Sequence, residues 1–102
     1  QTTLVFNTNH LPLLTGAAEL AAENLPCGGR SNLKHFDRTR VETTVRPELA
    51  LLCMDPQTSG GLLFTVSPTE APAFLAQLVA SGLPAAHVGV VTFENQQESL
   101  SV

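Results

Sequence analysis

The chain has 102 residues, of which 43% are apolar and 14% charged, and its formal net charge is −4. This length predicts one compact domain over residues 1–102, and the composition excludes an extensively disordered chain. With only five basic residues, the sequence lacks the dense basic surface that nucleic-acid binding requires. No apolar run approaches the ~20 residues of a membrane span. We therefore expect neither a nucleic acid nor a membrane as a partner.

Cys27 and Cys53 are the only cysteines, and their spacing fits neither a disulfide framework nor a C-x-x-C motif. We expect both to be reduced thiols, packed as small apolar groups in a cytoplasmic protein without a signal peptide. The three histidines share no ligand spacing with each other or with the cysteines, so we predict no metal site. The chain opens with "QTTLVF" and no initiator methionine, and we expect it to be a piece of a longer protein.

The first half of the sequence predicts two strands and two helices. These are a strand at 4–6, a helix at about 15–24, a strand at 40–45 and a helix at 47–54. Thr15 is the predicted N-cap of the first helix, and Pro47 occupies the first turn of the second. The apolar face of the first helix comprises Ala18, Leu20, Ala21 and Leu25. "PCGGRSN" (26–32) is interpreted as the end of that helix, and the polar, basic residues 30–40 show no clean period.

The second half predicts a strand, a helix and a strand. The strands are "GLLFTV" (61–66) and "HVGVVTF" (87–93), with a polar tail after the second. Ser67 as N-cap, Pro68 at the first helical position and Glu70 three residues after the cap predict the helix start, and Gly82 its end. Its apolar stripe comprises Ala71, Phe74, Leu75, Leu78 and Val79. Because a helical crossover favours parallel strands, we predict an α+β layered sandwich, with a mixed sheet covered by helices.

The segment "DPQTSGG" (55–61) is the first candidate site. Two glycines can take positive φ and let a ligand approach the backbone, and successive N–H groups in such a loop can bind an anion. The candidate phosphate-facing residues are Asp55, Gln57, Thr58, Ser59, Gly60 and Gly61. Alternatively, Asp-Pro starts a turn and the glycines relieve crowding where the strand enters the core. The residues alone leave both interpretations open, although the missing lysine excludes a Walker loop.

A second glycine pair lies in "CGGRSN" (27–32), followed by Arg30 and Asn32. A guanidinium beside a flexible loop suits bidentate phosphate recognition, and these two residues are the weaker cofactor-binding candidates. An ordinary helix C-terminus explains the same residues equally well. The chain has no G-x-S-x-G motif around Ser59, which excludes a nucleophile elbow there.

The string "LLCMDPQTSGGLLFTV" (51–66) resembles the C-terminal signature of selenophosphate synthetase, also called selenide, water dikinase. The order of the surrounding segments is similar as well: "LPLL", an alanine-rich helix, "RSNL", and a closing "GLPAAHVGVV". The resemblance covers nearly the whole chain. More loosely, it implies the C-terminal domain fold of the aminoimidazole ribonucleotide synthetase superfamily.

The resemblance implies a parent enzyme, a transferase of selenium metabolism that supplies selenocysteine biosynthesis. It makes selenophosphate from selenide, ATP and water, releasing AMP and phosphate, with Mg²⁺. The family's reactive cysteine or selenocysteine, its lysine and most of its magnesium-binding aspartates belong to an N-terminal domain, and a DVTGFG-type segment is expected before residue 1. We therefore expect an inactive fragment that lacks the first segment of its domain, whose partners are its own N-terminal domain and a second copy in a homodimer.

Two other functions stay open at this level. One is a non-catalytic packing or dimerisation module, in which the glycine loops serve strand packing. The other is a different ATP-using enzyme of the same superfamily, acting on a purine precursor or a thiamine phosphate. The full DPQTSGG string favours selenophosphate synthesis over this last alternative.

Overall fold

The computed structural model of the chain describes residues 2–24, 26–36, 44–93 and 96–101. Its strands and α-helices are β1 (Thr2–Phe6), α1 (Ala17–Asn24), α2 (Cys27–His35), α3 (Pro47–Cys53), α4 (Ala71–Ala80), β2 (Gly89–Phe93) and β3 (Gln96–Ser101). This content confirms the α+β class. The chain divides into two compact units, one formed by Gln1–Pro12 and Gly61–Val102 and the other by Leu13–Gly60. The single-domain organisation and the layering of helices on a sheet stay predictions.

The first unit, the sheet unit, contains a three-stranded sheet in the order β1-β2-β3. Both pairs are antiparallel, with Leu4 opposite Val91 and Phe6 opposite Gly89 in the first pair. Val88 and Val91 are buried, and Leu11 packs against them. A 3-10 turn (Thr8–His10) follows β1. The predicted strands at 4–6 and 87–93 are confirmed, the second beginning two residues later than expected.

The mixed sheet is wrong for the described residues, because the segment 61–66 adds no parallel strand. Residues 61–65 have no regular secondary structure, and Val66 forms only an isolated bridge. A strand requires a neighbour for its backbone N–H and C=O groups, and β2 pairs instead with β1 and with β3. Leu62 is 83% exposed, so the expectation that the segment enters the core directly after the glycines is also wrong. The segment after residue 93, predicted to be a polar tail, contains the strand β3 (Gln96–Ser101).

Helix α4 begins later than its start signals predict. Residues 68–70 form a turn, and the backbone N–H groups of Glu70 and Ala71 both donate to the carbonyl oxygen of Ser67 at 3.0 Å. The Ser67 hydroxyl donates to Glu70 Oε2 at 2.6 Å, whereas an N-cap side chain accepts from a backbone N–H. Ser67 is therefore not the predicted side-chain cap, and Pro68 lies before the helix.

The predicted end of α4 and most of its apolar stripe are confirmed. Gly82 has φ +79°, with its N–H donating to Val79 O at 2.9 Å and that of Leu83 to Leu78 O at 3.2 Å. This pair of bonds closes a helix around a left-handed residue, for which glycine is best suited. Four stripe residues are half-buried, namely Ala71, Phe74, Leu75 and Leu78, and Val79 is exposed.

The second unit, the helical unit, contains α1, α2 and α3, with both α1 and α2 packed against α3. Ala18, Ala21 and Leu49 are its buried apolar residues, which confirms the alanine face of α1. Leu20 is 62% exposed and does not belong to that face. Helix α1 begins two residues after Thr15, which lies in the preceding turn and is not its cap.

Helix α3 is confirmed with Pro47 in its first turn. The interpretation of "PCGGRSN" as a helix end is wrong, because Cys27–His35 forms a helix that begins within this segment. Two glycines lower helix propensity, and packing against another segment decides the matter here. Of the predicted strand 40–45, residues 40–43 lie outside the described residues, and Thr44 and Val45 form a turn and a bend.

Candidate functional site

The loop of residues 55–60, here called the DPQTSG loop, leaves the C-terminal end of α3. The N–H of Met54 donates to Leu51 O at 3.0 Å and that of Asp55 to Leu52 O at 3.2 Å, which carries the last turn of α3 into the loop. The N–H of Gln57 then donates to Asp55 O at 3.0 Å. Asp55 is half-buried and residues 56–60 are exposed. The loop therefore begins on a fixed helix end and presents its tip to solvent.

Ser59 takes the left-handed conformation that the sequence assigned to the glycines. Its φ is +55°, and neither Gly60 nor Gly61 has positive φ. A non-glycine residue in this region is uncommon, and serine is less suited to it than glycine or asparagine. The expectation that the glycine pair provides positive φ is therefore wrong, and Ser59 supplies the turn.

The two glycines differ in the space around them. A Cβ on Gly60 would lie 3.1 Å from Gln57 Oε1 and 3.2 Å from Gln57 Cβ, so the Gln57 side chain covers Gly60. A Cβ on Gly61 would have no atom within 4 Å. Gly60 is confined by a neighbour, whereas Gly61 is open.

Helix α2 brings the second glycine motif to the DPQTSG loop. The Asn32 side-chain amide donates to the carbonyl oxygen of Met54 at 2.9 Å in a partly buried position. A Cβ on Gly28 would lie 2.8 Å from Pro56 Cγ, so only glycine allows this approach. Gly28 and Asn32 are one helical turn apart and share a face. The two motifs that the sequence singled out therefore meet within the helical unit.

Arg30 does not share this face of α2. It lies two residues from both Gly28 and Asn32, which corresponds to about 200° around a helix, and it is exposed. Of the two weaker candidates, the structure therefore joins Asn32 to the loop through its contact with Met54, and Arg30 has no corresponding contact among the described residues.

The sequence reasoning missed Gly28, Pro56 and the Met54 carbonyl as parts of the site. The usable signal was the four-residue spacing between Gly28 and Asn32, which on a helix places a small residue and an amide on one face. Interpreting "CGGRSN" as a helix end concealed that spacing.

Cys27 and Cys53 flank this contact in sequence, since Cys27 precedes Gly28 and Cys53 precedes Met54. Both are free and lie at the surface, so the expected packing as small apolar groups is wrong. The part of Cys53 that is shielded from water raises the pKa of its thiol. A raised pKa lowers the thiolate fraction and makes Cys53 a poor nucleophile at neutral pH.

The sheet unit has a small polar cluster at the end of β1. His10 Nδ1 lies 3.1 Å from the carbonyl oxygen of His87, and His10 Nε2 lies 3.3 Å from Asn7 Nδ2. Because a carbonyl oxygen only accepts, Nδ1 carries the proton, and Nε2 is free to accept from Asn7. The imidazole thus links the turn after β1 to His87, two residues before β2. Among the described residues, no three or more His, Cys, Asp or Glu side chains are grouped to hold a metal ion.

Comparison with known proteins identifies consistent relatives. The chain is 40% identical to a selenide, water dikinase of Agathobacter rectalis over 89 residues, which is 85% of this chain and 26% of that protein. It is 40% identical over 91 residues to a selenide, water dikinase of Nitratidesulfovibrio vulgaris, and 38% identical over 82 residues to that of a Geobacter species. The resemblance to the selenide, water dikinases is confirmed.

The similarity to selenide, water dikinases extends over most of this chain but only a part of each relative. The chain spans about a quarter of the length of the curated relatives it matches. No family model matches the chain, and no solved structure matches it significantly. Across the residues that the structure describes, no helix combines the length and the apolar character needed to cross a membrane.

Proposed function

We propose that this chain is the C-terminal part of a selenophosphate synthetase, which converts selenide, ATP and water into selenophosphate, AMP and phosphate. The observation that carries the proposal is 40% identity to a selenide, water dikinase across 85% of the chain. The DPQTSGG string supports this function over another ATP-using enzyme of the aminoimidazole ribonucleotide synthetase superfamily, whose fold we expect the chain to share.

We propose that the DPQTSG loop and Gly61 face the phosphates of ATP. The backbone N–H groups of Thr58, Ser59 and Gly60 donate to no described residue, and neither do the Thr58 and Ser59 hydroxyls. A left-handed residue inside a turn, as at Ser59, is the geometry in which successive N–H groups converge on an anion. The exposed loop tip thus supplies uncommitted donors suited to phosphate oxygens.

Asp55 is the residue of the loop that suits Mg²⁺, since hard divalent cations prefer carboxylate oxygens. Its carboxylate forms no ion pair with a described residue. When bound, Mg²⁺ neutralises and orients the phosphates of a nucleotide. The chain's own contribution is to bind and orient the nucleotide, and we assign it no catalytic residue. The reacting groups belong to the N-terminal domain of the parent enzyme, for which we propose a homodimer.

The proposal is tested with the full-length protein, at the length of the curated relatives. Selenide-dependent formation of AMP and phosphate from ATP is expected, and the isolated 102-residue chain should form none above a blank. Thr58→Val should raise the KM for ATP, because it removes a hydroxyl donor without changing size. Thr65→Val, at another exposed threonine outside the loop, is the matched control. A full-length protein without selenide-dependent AMP formation would overturn the proposed function.

A further inference from the structure

The amide of Asn32 holds the point at which the DPQTSG loop begins. Met54 is the C-cap residue of α3, and the last carbonyl groups of a helix have no partner within it. The Asn32 side chain supplies a donor to the Met54 carbonyl oxygen at 2.9 Å, from a different helix and 22 residues away. This bond therefore fixes the end of α3 relative to α2.

A second contact on the same face of α2 limits the next residues of the loop. The Cα of Gly28 faces Pro56, close enough that a Cβ would lie 2.8 Å from Pro56 Cγ. Gly28 and Asn32 thus contact Pro56 and Met54, the residues on either side of Asp55. Two contacts, one turn apart on a rigid helix, set both the position and the direction of the loop.

We propose that Asn32 positions the DPQTSG loop for its ligand, acting through Met54 and not by binding the ligand itself. The catalytic consequence of this inference rests on the proposed function. It gives Asn32 a role other than the cofactor binding expected from the sequence, which stays a prediction, because the observed bond of its amide is to the protein backbone. The contact at Gly28 leaves the loop little freedom at Pro56, so losing the Asn32 bond should affect mainly residues 54 and 57–60.

Asn32→Asp is the sharpest test because it keeps the shape of the side chain and replaces the donor with an acceptor. A carboxylate facing the Met54 carbonyl oxygen repels it, which should release the end of α3. Asn24→Asp is the matched control, since Asn24 Nδ2 also donates to a backbone carbonyl, Leu20 O at 2.9 Å, but at an exposed position on α1. Asn32→Ala serves in its place if Asn32→Asp fails to fold.

Two measurements on the full-length protein are needed. Hydrogen exchange of the bonded backbone N–H groups of Met54, Asp55 and Gln57 should become about tenfold faster in Asn32→Asp, corresponding to one lost hydrogen bond, and should not change in Asn24→Asp. Steady-state kinetics should show a rise of similar size in the KM for ATP with an unchanged KM for selenide. A residue with a merely structural role would lower the amount of folded enzyme and leave both KM values unchanged.

The outcomes separate this inference from the proposed function. If the wild-type protein forms no AMP from ATP and selenide, the proposed function fails, while hydrogen exchange still tests the Asn32 contact. If the N–H groups of Met54, Asp55 and Gln57 exchange equally in Asn32→Asp and Asn24→Asp, Asn32 does not position the loop. If exchange rises and the KM for ATP does not, the positioning does not serve the reaction, and the inference is overturned.

Discussion

Gly89 lies so close to Val5 across the β1–β2 pair that a Cβ on Gly89 would overlap the Val5 carbonyl oxygen. The same Cβ would be 3.1 Å from the Cα of Phe6. Both obstacles are backbone atoms, which cannot rotate away as a flexible side chain does. We expect Gly89→Ala to reduce the free energy of unfolding by at least ~3 kcal/mol, the upper range for forced overpacking, as measured by urea titration.

Gly61→Ala is the control for the Gly89 prediction, because a Cβ there meets open space. It should change stability by less than ~0.5 kcal/mol. Equal losses for the two variants would mean that β1 and β2 do not pair in the observed register.

Phe64 and Phe74 form an edge-to-face pair, with ring centroids 5.6 Å apart and ring planes at 74°. Because the Phe74 ring is half-buried, Phe74→Ala should reduce the free energy of unfolding by ~2 kcal/mol. This is less than the ~3–5 kcal/mol expected for a fully buried phenylalanine. A double-mutant cycle with Phe64→Leu and Phe74→Leu should give a coupling energy of ~0.5–1.5 kcal/mol. Strictly additive losses would contradict the contact.

Local sequence signals predicted the elements that local chemistry determines. Pro47 opens α3, and Gly82, with its positive φ, closes α4, because fixed or permissive backbone dihedrals act within one turn. The prediction of a strand at 61–66 was wrong because strand pairing depends on distant residues. A β-rich composition does not identify the neighbouring strand. The identity of the sheet neighbours depends on residues far away in sequence.

In the candidate site, too, the sequence predicted the local features but not the contacts with distant residues. The composition of the DPQTSG loop predicted a turn after α3, and the structure has one, but the left-handed residue is Ser59. The α2 contact escaped prediction because Gly28 lowers helix propensity while serving close approach to Pro56. Tertiary packing therefore overrides helix propensity in α2. The contact between α2 and the loop cannot be predicted from the sequence of either segment alone.

Ser67→Ala tests whether the serine is a helix cap. Its hydroxyl donates to the Glu70 carboxylate at 2.6 Å and accepts from no backbone N–H within the described ranges. We expect a loss of ~0.5 kcal/mol or less, typical of an exposed side-chain bond, instead of the ~1 kcal/mol of a lost cap. Ser81→Ala, whose exposed hydroxyl donates to Gln77 O, is the control. A loss near 1 kcal/mol for Ser67→Ala alone would restore the cap interpretation.

The raised pKa of Cys53 predicts a pH dependence of its reactivity. Iodoacetamide alkylates only the thiolate. In the folded Cys27→Ser variant, the pH at which Cys53 reaches half of its maximal alkylation rate should therefore lie above the pKa of an unperturbed thiol. Folding favours the protonated form of the Cys53 thiol. The resulting stabilisation of the folded protein is fully present below the pKa of the unfolded thiol and is lost as the pH rises through the higher pKa of the folded thiol. Iodoacetamide rates in native and urea-unfolded protein provide the measurement, and identical midpoints would contradict the shielding.

Gly60 and Gly61 should respond differently to the same substitution. Gly60→Ala places a methyl group 3.1–3.2 Å from Gln57 atoms and must displace that side chain, at a cost of ~1 kcal/mol. Gly61→Ala meets no atom and restricts the unfolded chain, so its stability should be unchanged or slightly raised.

The double substitution Gly60→Ala with Gln57→Ala identifies the cause of the Gly60 effect. Truncating Gln57 removes Oε1, which would lie 3.1 Å from the new methyl group, but keeps Cβ at 3.2 Å. The double variant should therefore recover part of the stability lost by Gly60→Ala alone in a denaturant titration. If the whole loss persists in the double variant, the side-chain amide of Gln57 is not the constraint on Gly60. The open position of Gly61 further predicts that Gly61→Ala in the full-length protein lowers ATP turnover at unchanged stability if a ligand approaches the loop there. An added methyl group at Gly61 would obstruct any ligand that contacts this residue. Unchanged turnover would therefore mean that the ligand contacts only the residues before Gly61.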